Sequence, residues 1–350
     1  MTGALRTVCI PRLLHVGEDS LQAVAELVVS HGFPTGRTLV CSGDGPSLAF
    51  AGTVVESLRR AGLDVEQQTG LTGRLPQAAD VAGRIIATGV TLVVAVGGGK
   101  VIDTVKVAAA RTGTDFVTVP TTLAHDGISS PVASLDTNGR KVSHAAAMPT
   151  GIVVDTRIIG SAPPRTLRAG VGDLVSNLTA ILDWQLAADT GHDRFDAFSA
   201  MIAESAARPA LDLTDLSTAD NQAVLAKGLI LSGLAMAAAG TSRPCSGAEH
   251  LISHSLDATL GGRAALHGEQ VALGCLLSAR AHGSPLLPQL TELFGKLGLP
   301  VRPEDAGLTE ADLCRAVVAA PATRPDRYTV LDRLDLGEAA VRELVAETFV

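Results

Sequence analysis

The feature that most constrains the fold is a run of three consecutive glycines, Gly97-Gly98-Gly99, between two segments of different character. The residues before it, 91–96 (TLVVAV), form an uninterrupted apolar run typical of a buried strand. The residues after it, 101–111, have helical spacing. A strand that runs through glycines into a helix, with no polar alternation, indicates a parallel sheet that is covered on both faces.

The same succession of strands and helices extends through the first half of the chain. Residues 38–41, 115–119 and 151–154 are predicted strands, and residues 46–61 and 78–87 are predicted helices.

Between the last two strands, residues 131–135 and 140–145 have β-like composition. They are joined by Asp136-Thr137-Asn138-Gly139, and the Asn-Gly pair predicts a hairpin.

After Pro163-Pro164 the sequence becomes rich in Ala and Leu, with few β-branched runs. Helices are predicted over 174–188, 195–207, 221–239, 247–260 and 270–281. A chain of 350 residues exceeds one average domain. We therefore predict an α/β dinucleotide-binding domain with a parallel sheet over 1–162 and an all-helical metal- and substrate-binding domain over 163–350.

Composition and charge exclude several classes of partner. The formal net charge is −8, aromatic residues make up 3% of the chain, and Lys and Arg are not clustered, which argues against nucleic acid. No uninterrupted apolar run has the length of a membrane span, and residues 1–12 do not have the pattern of a secretory signal.

The five cysteines are dispersed, without a CxxC pair, which favours reduced and mostly buried thiols. The sequence thus predicts a cytoplasmic protein that acts on a small molecule. A symmetric homo-oligomer is the default expectation for a soluble enzyme.

The glycine run is a candidate phosphate-binding turn. Glycines at the start of a helix let backbone N–H groups approach a phosphate without interference from Cβ atoms, and the helix dipole favours the anion. The pattern GGGKVID is not the GxGxxG fingerprint, so an ordinary Rossmann domain is not predicted. A second polar segment, 120–131 (PTTLAHDGISSP), follows the strand 115–119 at the end where parallel sheets place ligands.

A group of histidines in the second half suggests a metal site. His250 and His254 are four residues apart and so share one helix face, and His267 follows. Upstream, Asp173 opens a predicted helical stretch. Imidazoles with a carboxylate suit Zn²⁺, and Ni²⁺ and Fe²⁺ accept the same ligands.

Taken together, these motifs resemble those of the sn-glycerol-1-phosphate dehydrogenase family, within the group of glycerol dehydrogenases, iron-containing alcohol dehydrogenases and dehydroquinate synthases. The resemblance extends from about Thr91 to Gly274. It is carried by GGGKVID, PTTLAHDGISSP, GVGDLVSN, SGAEHLISHSLD and HGEQVALG. It implies a dehydroquinate synthase-like fold and an NAD(P)-dependent, metal-dependent oxidoreductase.

Carried over position by position, the resemblance also implies roles for individual residues. Asp173, His250 and His267 would bind the metal, and Asp126, Asp173 and His254 would contact substrate. The dinucleotide would be held by Gly98, Gly99, Lys100, Val101, Ile102, Asp103, Thr121, Thr122, Leu123, Ala124 and Ser130.

The implied reaction is reduction of dihydroxyacetone phosphate, or a related ketone phosphate, to sn-glycerol 1-phosphate. The metal would act as a Lewis acid on the ketone oxygen, and the proton would come from His254 or a water. Arg140, Lys141 and His144, in the predicted hairpin, are candidates for binding the substrate phosphate. Asp44, after the strand 38–41, favours NAD over NADP because a carboxylate repels a 2′-phosphate.

Three alternatives stay open at this point. One is a dehydroquinate-synthase-like cyclase, which would show no net redox change. Another is a dehydrogenase of the same group that acts on a different polyol or biosynthetic intermediate, since Thr122-Leu123-Ala124 stands where small residues are common in the family. The third is a binding protein that has lost its activity.

Overall fold

The computed structural model of the protein describes residues 10–335 and 337–349. The chain divides into two compact units, Met1–Pro163 and Pro164–Val350. We call the first the α/β unit and the second the helical unit.

A six-stranded parallel sheet forms the centre of the α/β unit. Its spatial order is β1-β8-β5-β4-β2-β3. The strands are β1 (Leu13–Gly17), β2 (Thr38–Ser42), β3 (Val65–Gln68), β4 (Leu92–Gly97), β5 (Asp115–Pro120) and β8 (Gly151–Asp155). Every residue of β2, β4 and β8 is buried, so both faces of the central sheet are covered. The predicted buried parallel sheet is therefore confirmed.

The order of the strands creates a crevice between β2 and β4. From β2 the chain crosses to β3 on one side of β2 and then returns to β4 on the other side. Ser42 of β2 pairs with Val96 of β4 near the carboxyl ends of the two strands. Open parallel sheets bind their ligands at such a reversal of strand order. Gly97, the last residue of β4, places the glycine run at this position.

Between residues 10 and 163, five helices accompany the sheet. They are α1 (Val24–Ser30), α2 (Pro46–Arg60), α3 (Leu75–Thr88), α4 (Gly99–Thr112) and α5 (Thr156–Ser161). The helix α4 begins directly at the glycine run and is buried along most of its length.

The predicted hairpin is formed by the antiparallel strands β6 (Val132–Thr137) and β7 (Arg140–Ala145). The two loop residues, Asn138 and Gly139, have φ angles of 56° and 81°. A type I′ turn requires positive φ at both positions, which is why an Asn-Gly pair predicts it.

The described residues of the helical unit form helices and connecting segments without a strand. The helices are α6 (Pro164–Asp189), α7 (Ala197–Ala207), α8 (Ala219–Ala239), α9 (Ala248–Leu260), α10 (His267–Ala281), α11 (Leu286–Leu297), α12 (Glu310–Thr323), α13 (Val330–Leu334) and α14 (Glu338–Thr348). A core of buried apolar residues joins α9, α10, α12, α13 and α14.

Helix α8 is long and apolar enough to cross a membrane by length and composition alone. Within the unit, however, 61% of its apolar window is buried, which is typical of a core helix in a folded domain.

Several elements were not predicted from the sequence. The strand β3 reads VEQQ, and β1 and the helices α11 to α14 also went unassigned. β3 lies at the edge of the sheet, where only one neighbour pairs with it, so polar residues are tolerated and the apolar signal disappears.

Candidate functional site

Three possible metal ligands come together in the helical unit. Asp173 from α6, His250 from α9 and His267 from α10 each offer a ligand atom, and these atoms lie within 4.8 Å of one another. The Asp173 Oδ1 atom is 3.6 Å from Nε2 of His250 and 3.4 Å from Nε2 of His267. We call these residues the metal triad.

The sequence suggested that Asp173 opens a helix, and this prediction is wrong. It is the tenth residue of α6, which begins at Pro164, and it is only 4% exposed. Pro164 starts the helix because proline fits the first helical turn, where no backbone donor is needed. The backbone of Asp173 is therefore committed to the helix, and only its carboxylate is available for a ligand.

Glycines bring the helices of the triad to backbone contact. A Cβ atom on Gly268, next to His267, would lie 1.8 Å from the carbonyl oxygen of Ala169 in α6. A Cβ atom on Gly172, next to Asp173, would lie 2.2 Å from the carbonyl oxygen of Gly268. Only glycine at both positions allows α6 and α10 to cross this closely, and the crossing places Asp173 beside His267.

The outer nitrogen of each histidine is held by a buried partner. His250 Nδ1 is 3.0 Å from Oε1 of Glu249, a carboxylate that is fully buried and also accepts from the hydroxyl of Thr179. His267 Nδ1 is 3.0 Å from the hydroxyl of Ser253, which in turn donates to Gln270. Partners of this kind orient the ring so that Nε2 faces the metal. Neither Glu249 nor Ser253 was predicted, although both lie within the quoted SGAEHLISHSLD motif.

The electrostatics of the triad favour a positive charge at its centre. Burial alone would raise the pKa of Asp173, but its hydrogen bonds to His250 and His267 and their charge outweigh burial and hold the pKa far below its ordinary value. Burial alone would lower the pKa of His250, but hydrogen bonds to Asp173 and Glu249 raise it to about 9.

This donor set fits a divalent metal ion. It combines one ionised carboxylate with two imidazoles whose Nε2 atoms face it, and catalytic zinc sites use three protein ligands of these types. The positive charge that the raised pKa gives His250 beside Asp173 is the charge that a bound cation would supply instead.

His254 lies beside the triad without belonging to it. Its ring centroid is 6.4 Å from that of His267. Burial, followed by the charges of His267 and His250, lowers the pKa of His254 to about 2. The ring is therefore neutral at physiological pH, with one nitrogen that donates and one that accepts a hydrogen bond.

In the α/β unit, the glycine run needs glycine for space rather than for unusual torsion angles. The φ angle of Gly98, the residue before α4, is −81°. A Cβ atom on Gly98 would lie 3.2 Å from the hydroxyl of Thr122, and one on Gly99 would lie 2.5 Å from Nε2 of His125. The glycine run and the polar segment 120–131 thus pack directly against each other.

The other dinucleotide-binding candidates differ widely in exposure. Lys100 is exposed, whereas Val101, Ile102 and Leu123 are buried in the core. Thr121, Thr122 and Ala124 are half-buried. Thr121 donates its backbone N–H to the carbonyl of Gly97, which ties the segment to the end of β4.

Asp103 and Ser130 have partners within the protein. The Oδ2 atom of Asp103 accepts from the backbone N–H of Ser134 at 2.9 Å, and Oδ1 lies 3.1 Å from Nζ of Lys106. The hydroxyl of Ser130 is 3.4 Å from the same Nζ atom and 3.2 Å from the carbonyl of Val132. Both side chains position the loop, and the contact of these residues with the dinucleotide stays a prediction.

Lys106 holds the loop 127–132 in place, a role that was not predicted from the sequence. It is fully buried, and its Nζ atom donates to the carbonyls of Gly127 (2.8 Å), Ser130 (3.0 Å) and Val132. The signal was available, since Asp103 and Lys106 have the i,i+3 spacing of a helical ion pair.

Asp126 begins a single 3-10 turn, Asp126–Ile128, and is half-buried. Its backbone carbonyl accepts from the N–H groups of Ser129 and Ser130.

In the hairpin, Arg140 and Lys141 are exposed and His144 is half-buried, with Nε2 3.4 Å from the hydroxyl of Thr137.

Four cysteines, Cys41, Cys245, Cys275 and Cys314, are buried free thiols, as predicted. Burial raises the pKa of the Cys41 thiol to about 12. Cys9 lies outside the described residues.

Known proteins resemble the chain along most of its length. A model of the iron-containing alcohol dehydrogenase family matches residues 15–163. The chain is 38% identical to a glycerol-1-phosphate dehydrogenase (NAD(P)+) of Staphylothermus marinus, over 85% of each chain. It is 35% identical to the protein of the same name from Thermococcus kodakarensis, over 97% of each. The crystal structure of a probable glycerol dehydrogenase from Sinorhizobium meliloti 1021 has the same fold, with a TM-score of 0.77 at 23% identity and 98% coverage of both chains.

Proposed function

Because the chain belongs to the glycerol-1-phosphate dehydrogenase family, we propose that it reduces dihydroxyacetone phosphate to sn-glycerol 1-phosphate, using NAD(P)H and a divalent metal ion. The observation in the structure that carries the proposal is the metal triad, whose ligand atoms lie within 4.8 Å of one another. A binding protein without activity would have no reason to retain this buried polar cluster, which is costly to keep without a ligand. A cyclase function has no support among the relatives named above.

The metal would be held by Asp173, His250 and His267. When bound, the ion supplies Lewis acidity toward the ketone oxygen, and the nicotinamide supplies the hydride. In the overall reaction the carbonyl carbon gains the hydride, the oxygen gains a proton, and NAD(P)H becomes NAD(P)⁺.

The residues of the chain orient the substrate and handle the proton. His254 is a neutral imidazole, so its N–H can donate a hydrogen bond to the substrate oxygen. It can pass that proton on while its other nitrogen takes one from a water, or it can hold a water that supplies the proton. Asp126 would accept a hydrogen bond from the substrate hydroxyl. Glu249 and Ser253 keep the two histidine ligands in their orientation.

The dinucleotide would lie at the reversal of strand order in the α/β unit. The segment Gly98–Asp103 would hold its phosphates through the backbone N–H groups at the start of α4, those of Gly98, Gly99 and Lys100, since the next two N–H groups donate to the carbonyl of Gly98. The segment Thr121–Ala124 and the loop ending at Ser130 would flank it. Asp44 is exposed just after β2, and we propose NAD as the preferred cofactor because a carboxylate there repels the 2′-phosphate of NADP.

Three finer assignments belong to the same proposal. We propose Zn²⁺ as the metal, since two imidazoles and one carboxylate are ligands that it prefers. We also propose a cytoplasmic enzyme, consistent with four buried free thiols, and a symmetric homo-oligomer.

The test uses protein that is stripped of metal and reloaded with Zn²⁺ or Ni²⁺. NADH and NADPH oxidation is then followed with dihydroxyacetone phosphate, and the chirality of the glycerol phosphate is determined. Oxidation that depends on metal and gives sn-glycerol 1-phosphate supports the proposal. A protein that binds metal and NADH but leaves dihydroxyacetone phosphate unchanged would refute the assigned substrate.

A further inference from the structure

Three arginines gather beside the segment that leads into α9. Arg243 and Arg327 are 4% and 8% exposed, and Arg324 is half-buried. We call them the arginine cluster. Buried arginine is rare in proteins unless it is paired, so this grouping calls for a physical reason.

Two of the three guanidinium groups converge on one hydroxyl. The Ser242 Oγ atom accepts from Nη1 of Arg324 at 3.2 Å and from Nη2 of Arg327 at 2.9 Å. The two nitrogen atoms therefore lie within about 6 Å of each other. Arg327 also donates through Nη1 to the carbonyl of Ser246.

The charges in the cluster are unevenly compensated. Arg243 has an ion pair with Asp193 at 2.7 Å and donates to the carbonyl of Tyr328. Both hydrogen bonds that the structure gives Arg327 go to neutral oxygen atoms. Burial, together with the charges of Arg324 and Arg243, outweighs the opposing charges of Glu249 and Asp326 and lowers the pKa of Arg327 to about 10, so the group still carries its charge at neutral pH. Holding like charges this close favours binding of an anion.

The cluster lies near the metal triad within the helical unit. Ser242 and Ser246 precede α9 by a few residues, and His250 is in the first turn of that helix. Helix α12, which ends just before Arg324, packs along α9. The charges of Arg324 and Arg327 reach His254, one turn beyond His250, since they contribute to its lowered pKa.

We propose that Arg324 and Arg327 form the subsite that binds the phosphate group of the substrate. The inference rests on the proposed function, because it takes the ketone to be reduced at the metal triad. Guanidinium groups present paired N–H donors in the geometry of a phosphate, and two of them can neutralise a dianion. Arg243 is already paired with Asp193 and is not part of the subsite.

This assignment replaces the hairpin residues as the phosphate candidates. Arg140 and Lys141 are exposed on β7, where charged side chains are ordinarily solvated. In the arginine cluster, by contrast, Arg327 is buried and Arg324 is half-buried, and hydrogen bonds to Ser242 fix both.

The first experiment compares Arg324→Gln with the wild type as metal-loaded holoenzymes. Arg324 is the less buried of the two and so is the safer substitution. The KM for dihydroxyacetone phosphate should rise about tenfold or more, as expected for loss of a charge-assisted hydrogen bond. The kcat/KM for unphosphorylated dihydroxyacetone should change much less than that for dihydroxyacetone phosphate. Arg315→Gln, which removes an exposed arginine of α12, serves as the control and should alter neither value.

A second measurement does not depend on turnover. Inorganic phosphate should raise the melting temperature of the wild type and of Arg315→Gln, and the effect should be lost in Arg324→Gln. Arg327→Lys keeps the positive charge but lacks the paired N–H donors of the guanidinium group. Its stabilisation by phosphate should be weaker than that of the wild type. A wild type that is not stabilised by phosphate would refute the subsite.

The outcomes separate this inference from the proposed function. If the wild type does not reduce dihydroxyacetone phosphate but phosphate protection is lost in Arg324→Gln, the anion subsite stands and the substrate assignment fails. If the wild type reduces it and Arg324→Gln only melts earlier, with the same KM and the same response to phosphate, the cluster merely joins two segments and the inference fails.

Discussion

The two units prepare for their ligands in opposite ways. In the helical unit, the candidate site consists of side chains that are already in place, with the outer nitrogens of His250 and His267 held by Glu249 and Ser253. In the α/β unit, the candidate site consists of backbone without side chains. The absence of a Cβ atom at Gly98 and Gly99 leaves room beside Thr122 and His125. The first kind of site should fail when atoms are removed, and the second should fail when atoms are added.

The largest expected effect comes from removing a ligand. In His250→Ala, metal content and activity should both fall to background, because two ligands do not hold the ion. NADH binding should persist, since the dinucleotide candidates belong to the other unit. Metal analysis of the dialysed protein and NADH fluorescence titration measure the two quantities. A variant that keeps stoichiometric metal would show that the triad is assigned wrongly.

A change in the partner of the ligand should have a smaller effect at the same site. Glu249→Gln leaves the shape of the side chain but removes the carboxylate that accepts from His250. We expect metal affinity to fall by about 10- to 100-fold, the usual range for such partners. A competition titration with a chromogenic chelator gives the affinity. Glu204→Gln, on the surface of α7, is the matched control and should bind metal like the wild type.

Adding one methyl group tests the other half of the comparison. In Gly99→Ala the new Cβ atom would meet His125 at 2.5 Å, so the polar segment must shift. Overpacking of this kind costs about 1–3 kcal/mol, and we expect NADH affinity to fall about tenfold with metal content unchanged. Gly83→Ala, in α3, adds the same methyl group where nothing lies within 4 Å. That control should bind NADH normally, and equal affinities for the two variants would contradict the role of the glycine run.

The smallest effect is expected at Gly98. A Cβ atom there would lie 3.2 Å from the hydroxyl of Thr122, a contact that a small movement relieves. We expect Gly98→Ala to weaken NADH binding only a few-fold, which is less than Gly99→Ala does. Isothermal titration of both variants under one set of conditions gives the ranking. The reverse order would mean that space beside Thr122, rather than space near His125, limits binding.

The sequence predicts the α/β unit well where burial is complete. β2, β4, β5 and β8 are contiguous apolar runs because helices cover both faces, and the hairpin follows from Asn138-Gly139. The edge strand β3 is not predicted because half of its environment is polar, so its sequence has no apolar run.

Local spacing also limits what can be predicted at the site. His250 and His254 are recognisable because one helix carries both. Asp173 is distant in sequence, and its place in the site was implied only by resemblance, since the crossing of α6 and α10 is a tertiary contact. The arginine cluster joins Ser242 to residues more than 80 positions later, and no short pattern reveals such a contact.

The backbone contact at Gly172 and Gly268 has a consequence for the choice of ion. Because main-chain atoms of α6 and α10 touch, the separation of the helices that carry Asp173 and His267 is fixed, while Glu249 and Ser253 hold the orientations of the two histidine rings. A frame of this kind suits small cations that bind nitrogen and oxygen at about 2.0–2.2 Å, whereas Ca²⁺ needs six to eight oxygens at longer distances. Discrimination against large hard cations is thus built into the helix crossing. Among the small transition metals these ligands do not discriminate by size, so the proposal of Zn²⁺ rests on the ligand types and not on the helix crossing.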